Sequence, residues 1–270
     1  MLTTRLLTAI VLIPIVAWLM YLGGLPFFAL VAVLATVAQI EFSRLIARSG
    51  VRAVHLFGIG VVWLCLLDGQ YPERQLLTRG IAAMLLLSLS WQVLRFGHST
   101  VREWAGAIAT GLYVGLCGSY LIRLRGLPDD GLWWTFIVVP VTFFADAVAY
   151  FVGSIWGRRR LAPRLSSGKT LEGYIGAVLL SGLMGALLGL IWNPKAGPET
   201  TVTWSRALIL SGLIAALAPM GDLAISMVKR EAGADNTSNL LPGHGGVLDR
   251  LDTILFAAVI AHAFVVWFAR

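Results

Sequence analysis

Residues 132–154 read Leu132-Trp133-Trp134-Thr135-Phe136-Ile137-Val138-Val139-Pro140-Val141-Thr142-Phe143-Phe144-Ala145-Asp146-Ala147-Val148-Ala149-Tyr150-Phe151-Val152-Gly153-Ser154, with Asp146 the one charged side chain. A hydrocarbon core about 30 Å thick is crossed by roughly 20 mostly apolar helical residues, and this run meets that length. Eight other runs meet it too: approximately 6–22, 26–42, 53–68, 80–96, 104–122, 172–192, 205–228 and 252–269. The expected fold is therefore an all-α polytopic integral membrane protein with nine transmembrane helices.

Composition agrees. Of 270 residues, 58% are hydrophobic and 13% charged, and the mean hydropathy is +0.81. A soluble domain carries about 25% charged residues and could not hide so much apolar surface. Disorder is excluded as well, because it needs charge and polarity this chain lacks. The net charge of +7 would point a soluble chain towards nucleic acid. In a membrane protein the simpler reading is Lys and Arg held in cytoplasmic loops, so no nucleic-acid partner is expected. Cys65 and Cys117 sit inside apolar runs, which argues against a disulfide framework or a zinc site. No removable signal peptide stands out.

Charge sets the expected orientation. With the N-terminus inside, fourteen Lys and Arg fall on the cytoplasmic side and seven on the other. This bias favours a cytoplasmic N-terminus and a C-terminus on the opposite side. The first five spans (residues 1–130) read as plain helices with short loops. Residues 131–270 form the chemically loaded part, with cytoplasmic loops at 155–171 and 229–251. The protein is expected in the cell (inner or plasma) membrane, with its active site at the cytoplasmic face.

Asp146 lies within the sixth span and Asp222 within the eighth. A carboxylate at membrane depth costs at least about 2.5–3.5 kcal/mol unless paired or hydrated, so each is a functional candidate by default. The bland alternative is an interhelical hydrogen bond or ion pair. Helical steps of four and three place Asp222, Ser226 and Lys229 on one face, followed by Arg230. An acid, a hydroxyl and cations at one helix end suit a metal-bound phosphate. Next comes Leu241-Pro242-Gly243-His244-Gly245-Gly246, then Asp249-Arg250-Leu251-Asp252. Glycines around a histidine permit positive φ and an anion-binding nest of N–H groups. A helix starting near Asp249 would add its own unpaired N–H groups. A plain glycine turn and N-capping aspartates are the simpler alternatives.

The loop before the seventh span holds Arg158, Arg159, Arg160, Arg164, Ser166, Lys169 and Thr170. Gly168-Lys169-Thr170 is not read as a P-loop, because that motif needs an earlier glycine and a strand, and neither is expected here. A dense cationic segment remains, suited to phosphates or to anionic lipid headgroups. Carboxylates for a divalent cation, clustered cations and a glycine nest are what phosphoryl or nucleotidyl transfer requires.

These residues resemble the phosphatidate cytidylyltransferase (CDP-diacylglycerol synthase) family. The likeness rests on Ser226-Met227-Val228-Lys229-Arg230, Pro242-Gly243-His244-Gly245-Gly246 and Asp249-Arg250-Leu251-Asp252. It extends upstream through Asp146, Ala149, Tyr150, Gly157-Arg158 and Lys169-Thr170-Leu171-Glu172-Gly173, and to Arg5-Leu6-Leu7-Thr8-Ala9 and Glu41 at the end of the second span. Two departures stand out. Asp235-Asn236 replaces the family's Lys-Asp, and Ser167 stands where proline is common.

The resemblance implies that phosphatidic acid attacks the α-phosphorus of CTP, giving CDP-diacylglycerol and pyrophosphate. By carry-over, Asp222 and Asp249 would ligate Mg²⁺, with Mn²⁺ as a substitute and a monovalent cation as a further candidate. Lys229, Arg230 and Lys169 would act in catalysis by neutralising phosphates. Arg158, Ser166, Thr170, Ser226, Gly243, His244, Gly245, Gly246 and Arg250 would bind substrate phosphates. Asp146, Tyr150, Glu172 and Asp252 would support them, and His244 is counted with these too. The expected partners are CTP, phosphatidic acid, the lipid bilayer and a second copy in a homodimer. Competing readings are a CTP-dependent transferase with another lipid acceptor, an inactive paralogue, and an ion-coupled transporter using Asp146 and Asp222.

Overall fold

A computed structural model describes residues 2–51, 55–95, 100–240 and 245–269. Ten α-helices account for most of them: α1 (Leu2–Leu22), α2 (Gly24–Arg48), α3 (His55–Gln70), α4 (Leu76–Leu94), α5 (Val101–Arg125), α6 (Gly131–Trp156), α7 (Leu171–Ala196), α8 (Trp204–Leu217), α9 (Pro219–Glu231) and α10 (Leu248–Phe264). A π-helical turn, Val265–Ala269, continues α10. Each expected span coincides with a helix, but seven rather than nine are long and apolar enough to cross a membrane among the described residues. The other two apolar helices, Ile10–Leu22 within α1 and His55–Gln70, are shorter. The chain is thus a multi-pass, predominantly helical protein.

Two local features depart from the expected plan. The eighth span bends where α8 gives way to α9, because Pro219 has no N–H to donate to the preceding turn. The loop before α7 contains a short antiparallel hairpin of β1 (Arg160–Ala162) and β2 (Ser166–Thr170), pairing Arg160 with Thr170 and Ala162 with Ser166. A strand is therefore present after all. It contains Gly168-Lys169-Thr170 rather than preceding it, so the backbone there is extended and does not form a phosphate-cradling loop.

The chain packs as two units. The first comprises Met1–Arg123 and Val228–Leu251, the second Leu124–Met227 and Asp252–Arg270. In the first, α3 and α5 approach closely. A β-carbon on Gly111 would stand 2.7 Å from the Gly58 carbonyl, and one on Gly115 would stand 2.8 Å from Val62 Cα. Small residues permit such contact where no hydrophobic force drives helices together in lipid. Polar side chains are buried here too. Gln39 Nε2 donates to Thr110 Oγ1 over 2.8 Å, and Arg123 pairs with Asp68 at 2.5 Å. The first spans are therefore less plain than their hydropathy suggests.

In the second unit α7 packs through glycines on two sides. Gly173 and Gly176 meet Ala149 and Val152 of α6, whereas Gly185 and Gly189 meet Ala207, Ser211 and Trp204 of α8. Trp134, Ile137, Val141, Leu210, Ile214 and Ala257 are among the fully buried side chains of its core. At one end the buried Asp130 carboxylate accepts from Thr201 N (2.7 Å) and Thr201 Oγ1 (2.6 Å), tying the start of α6 to the turn before α8.

Candidate active site

In the second unit the site is built around Lys169 and Asp222. Thr170 ends β2 and caps α7, its Oγ1 accepting from Gly173 N over 3.2 Å. That cap sets the residue before it. Lys169 Nζ then lies 2.5 Å from Asp222 Oδ2, with 24% and 27% of the two side chains exposed. Ser226 Oγ donates to Asp222 Oδ1 over 3.3 Å, which places these two on one face of α9 as their spacing predicts. Glu172 closes the base of the hairpin by accepting from Arg158 N (3.0 Å) and Arg159 N (3.2 Å). The Arg158, Arg159 and Arg160 side chains face outward. Tyr174 OH donates to the Ala216 carbonyl over 2.9 Å, linking α7 to the end of α8 just before the bend.

The first unit holds Lys229 and Asp249, the least exposed of the described ion pairs at 13% and 7%. Lys229 Nζ donates to Asp249 Oδ1 over 2.8 Å. Asp249 Oδ2 accepts from Thr237 N (2.9 Å), Thr237 Oγ1 (2.9 Å) and Gly246 N (3.0 Å). Around it, Glu41 of α2 accepts from Thr237, Ser238, Val247 N and Leu248 N. Gly246 is a glycine for lack of room, since a β-carbon would run into Thr237 Oγ1 and stand 2.6 Å from Glu41 Oε2. Gly245 is one for its backbone, at φ +81°, a region that favours glycine. Asn236 lies beside Asp249: a β-carbon on Gly245 would be 3.0 Å from Asp249 Oδ2 and 3.6 Å from Asn236 Oδ1.

At the N-terminus of α10 the Gly246 N–H donates to Asp249, and the Val247 and Leu248 N–H groups donate to Glu41. Carboxylates stand at this helix N-terminus, where negative charge is favoured. Gly243 and His244 lie outside the described residues.

Other expected site residues are more scattered. Arg230 forms an exposed pair with Asp235 at 2.9 Å, and Arg250 is exposed on the first turn of α10. Asp252 is buried, accepting from Thr253 N over 2.7 Å. Asp146 and Tyr150 lie one turn apart on α6, and both are exposed. Among the described residues no three Asp, Glu, His or Cys side chains gather as a metal cage.

The model of the cytidylyltransferase family matches residues 3–268, nearly the whole chain. The chain belongs to the cytidylyltransferase family. A relative from Brucella abortus, named phosphatidate cytidylyltransferase, is 34% identical over 273 residues, covering 100% of this chain and 95% of its own. Relatives of the same name from Pseudomonas aeruginosa (34% identity, 100% and 98% covered) and Bacillus subtilis (31%, 93% and 93%) are similar throughout. As a cytidylyltransferase the chain is a nucleotidyl-transferring enzyme, and its paired lysines and aspartates are the groups to examine for that chemistry.

Sequence reasoning missed the role of Glu41 and gave none to Thr237 or Ser238. The signal for Glu41 was available. It is a carboxylate at the end of an apolar span and inside α2, and a buried carboxylate needs its acceptors filled.

Proposed function

We propose that this cytidylyltransferase joins CTP to phosphatidic acid, giving CDP-diacylglycerol and pyrophosphate. The observation that carries this reading is near-full-length similarity to relatives named phosphatidate cytidylyltransferase, in a chain where each aspartate singled out for the metal is paired with a lysine. A phosphate oxygen of the lipid attacks the α-phosphorus of CTP. The bond from that phosphorus to the α–β bridging oxygen breaks, and pyrophosphate leaves. The attacking oxygen is already anionic, so no strong general base is needed.

The donors suit Mg²⁺. Asp222 and Asp249 each offer carboxylate oxygens, and Mg²⁺ commonly takes one or two carboxylates together with water and substrate phosphates, so either aspartate suits the ion by its own chemistry. Bound there, the ion would neutralise phosphate charge as the nucleotide reacts. The Lys169 ammonium stands at Asp222 and that of Lys229 at Asp249, and both supply positive charge for phosphate oxygens. Arg230, in its exposed pair with Asp235, adds a further cation to the same helix end as Lys229. We further assign the active site to the cytoplasmic face, with the N-terminus inside, and the working form to a homodimer.

The test is Mg²⁺-dependent incorporation of labelled CTP into phosphatidic acid by the purified protein. Asp222→Asn and Asp249→Asn should each lower kcat by about 100-fold or more while binding of CTP changes less, as expected when charge stabilisation is lost mainly in the transition state. Folded wild-type protein that leaves phosphatidic acid unlabelled would overturn the reading.

A further inference from the structure

Glu41 is 3% exposed on α2, between the buried Gln39 and Ser43. A buried carboxylate is tolerated only when its acceptors are filled. Three donors fill them, Ser238 Oγ (2.6 Å) and Val247 N (3.1 Å) on Oε1 and Leu248 N (2.8 Å) on Oε2, with the Thr237 hydroxyl 3.1 Å from Oε2. One side chain thus joins α2, the 237–238 turn and the first turn of α10. The Thr237 hydroxyl shares its one proton between Glu41 Oε2 and Asp249 Oδ2, and the Thr237 N–H donates to that same Asp249 oxygen.

We infer that Glu41 is a positioning residue for nucleotidyl transfer, holding Thr237 and the start of α10 so that Asp249 and Lys229 keep their geometry. The inference rests on the function proposed above. Glu41 touches no reacting atom; it acts through Asp249. The geometry makes glutamine a demanding replacement. Each carboxylate oxygen receives a backbone N–H. Whichever way the side-chain amide of the Glu41→Gln variant turned, its NH₂ would face either the Val247 or the Leu248 N–H. A donor facing a buried donor loses the bond and strands both groups. Displacement of a reacting group by about 1 Å can cost about 100-fold in rate.

The experiment compares wild type, Glu41→Gln and Thr237→Val in steady-state CTP and phosphatidic acid kinetics, melting temperature and backbone hydrogen exchange. For Glu41→Gln we expect kcat to fall at least about tenfold with KM for CTP within about threefold, the pattern of a misplaced catalytic group. Exchange should quicken at residues 237–249 and stay unchanged in α3 and α5. Thr237→Val, which removes one hydroxyl and keeps the side-chain shape, should show the same pattern with a smaller loss of kcat and a smaller drop in melting temperature.

A kcat within twofold of wild type in Glu41→Gln overturns the inference. So does faster exchange throughout the first unit, which would mark a purely structural residue. Should Glu41→Gln fail to fold, Thr237→Val decides, and an unchanged kcat there overturns it. If wild type itself transfers nothing to phosphatidic acid, the proposed function fails. The exchange pattern at 237–249 then decides Glu41 separately, upheld by local loosening and overturned by its absence.

Discussion

The two lysine–aspartate pairs are alike in chemistry but not in setting. Lys169 and Asp222 are about one-quarter exposed, whereas Lys229 and Asp249 are nearly buried. A pair open to water contributes about 1 kcal/mol or less, but breaking a buried pair strands a charge at about 3–5 kcal/mol. Each lysine neutralises a largely buried aspartate, so Lys169→Met and Lys229→Met should both lower kcat and the melting temperature, with the larger thermal loss in Lys229→Met; thermal melting beside the CTP assay checks this. Asp249 also receives two backbone N–H groups, so loss of activity in Asp249→Asn counts as chemistry only where the fold survives. The candidates were legible residue by residue because ionisable groups are rare in so apolar a chain. Their partners were not. Thr237 and Ser238 look like ordinary loop residues until the fold brings them to Glu41, 196 and 197 positions away.

At the scale of elements, the hairpin between α6 and α7 decides where Lys169 points. It is held by Glu172, whose carboxylate gathers the Arg158 and Arg159 N–H groups, and by the Thr170 cap. Glu172→Ala should release the base of the hairpin and lower kcat/KM by about tenfold with little change in melting temperature, since the hairpin lies outside the apolar core. An unaltered kcat/KM would show that the hairpin is held by other means. Packing of α7 makes a separate demand. A leucine at Gly185 would press into Ser211 and Ala207 of α8, so Gly185→Leu should cost at least about 1–3 kcal/mol, read as a lower melting temperature in detergent. Helices were legible because hydropathy registers length. The bend at Pro219 and the strands β1 and β2 were not, for a few residues of extended chain carry no periodic signal.

For the molecule as a whole, the bilayer explains what water could not. Helix α4 buries only Ser88, and Leu86, Leu87, Val93 and Leu94 are each more than 60% exposed. Surface of that kind suits acyl chains. The orientation proposed above rests on the charge bias of the loops. In a variant lacking Cys65 and Cys117, a cysteine at Ser205 should react with an impermeant maleimide on intact cells. One at Arg164, in the hairpin turn, should react only after permeabilisation. The reverse pattern would overturn a cytoplasmic N-terminus.

From sequence alone came the membrane class, the nine apolar segments, the family resemblance and the acidic and basic residues worth examining. All of these depend on local composition and spacing, which the chain carries wherever it folds. Tertiary structure alone decided which donor each carboxylate meets. Packing brought the Gly246 N–H to Asp249 and the Val247 and Leu248 N–H groups to Glu41. It also drew residues 228–251 into one unit with the first 123. The physical reason is that a buried acceptor must be filled by whatever donor the fold brings within about 3 Å. For Glu41 those donors lie 196 to 207 residues along the chain.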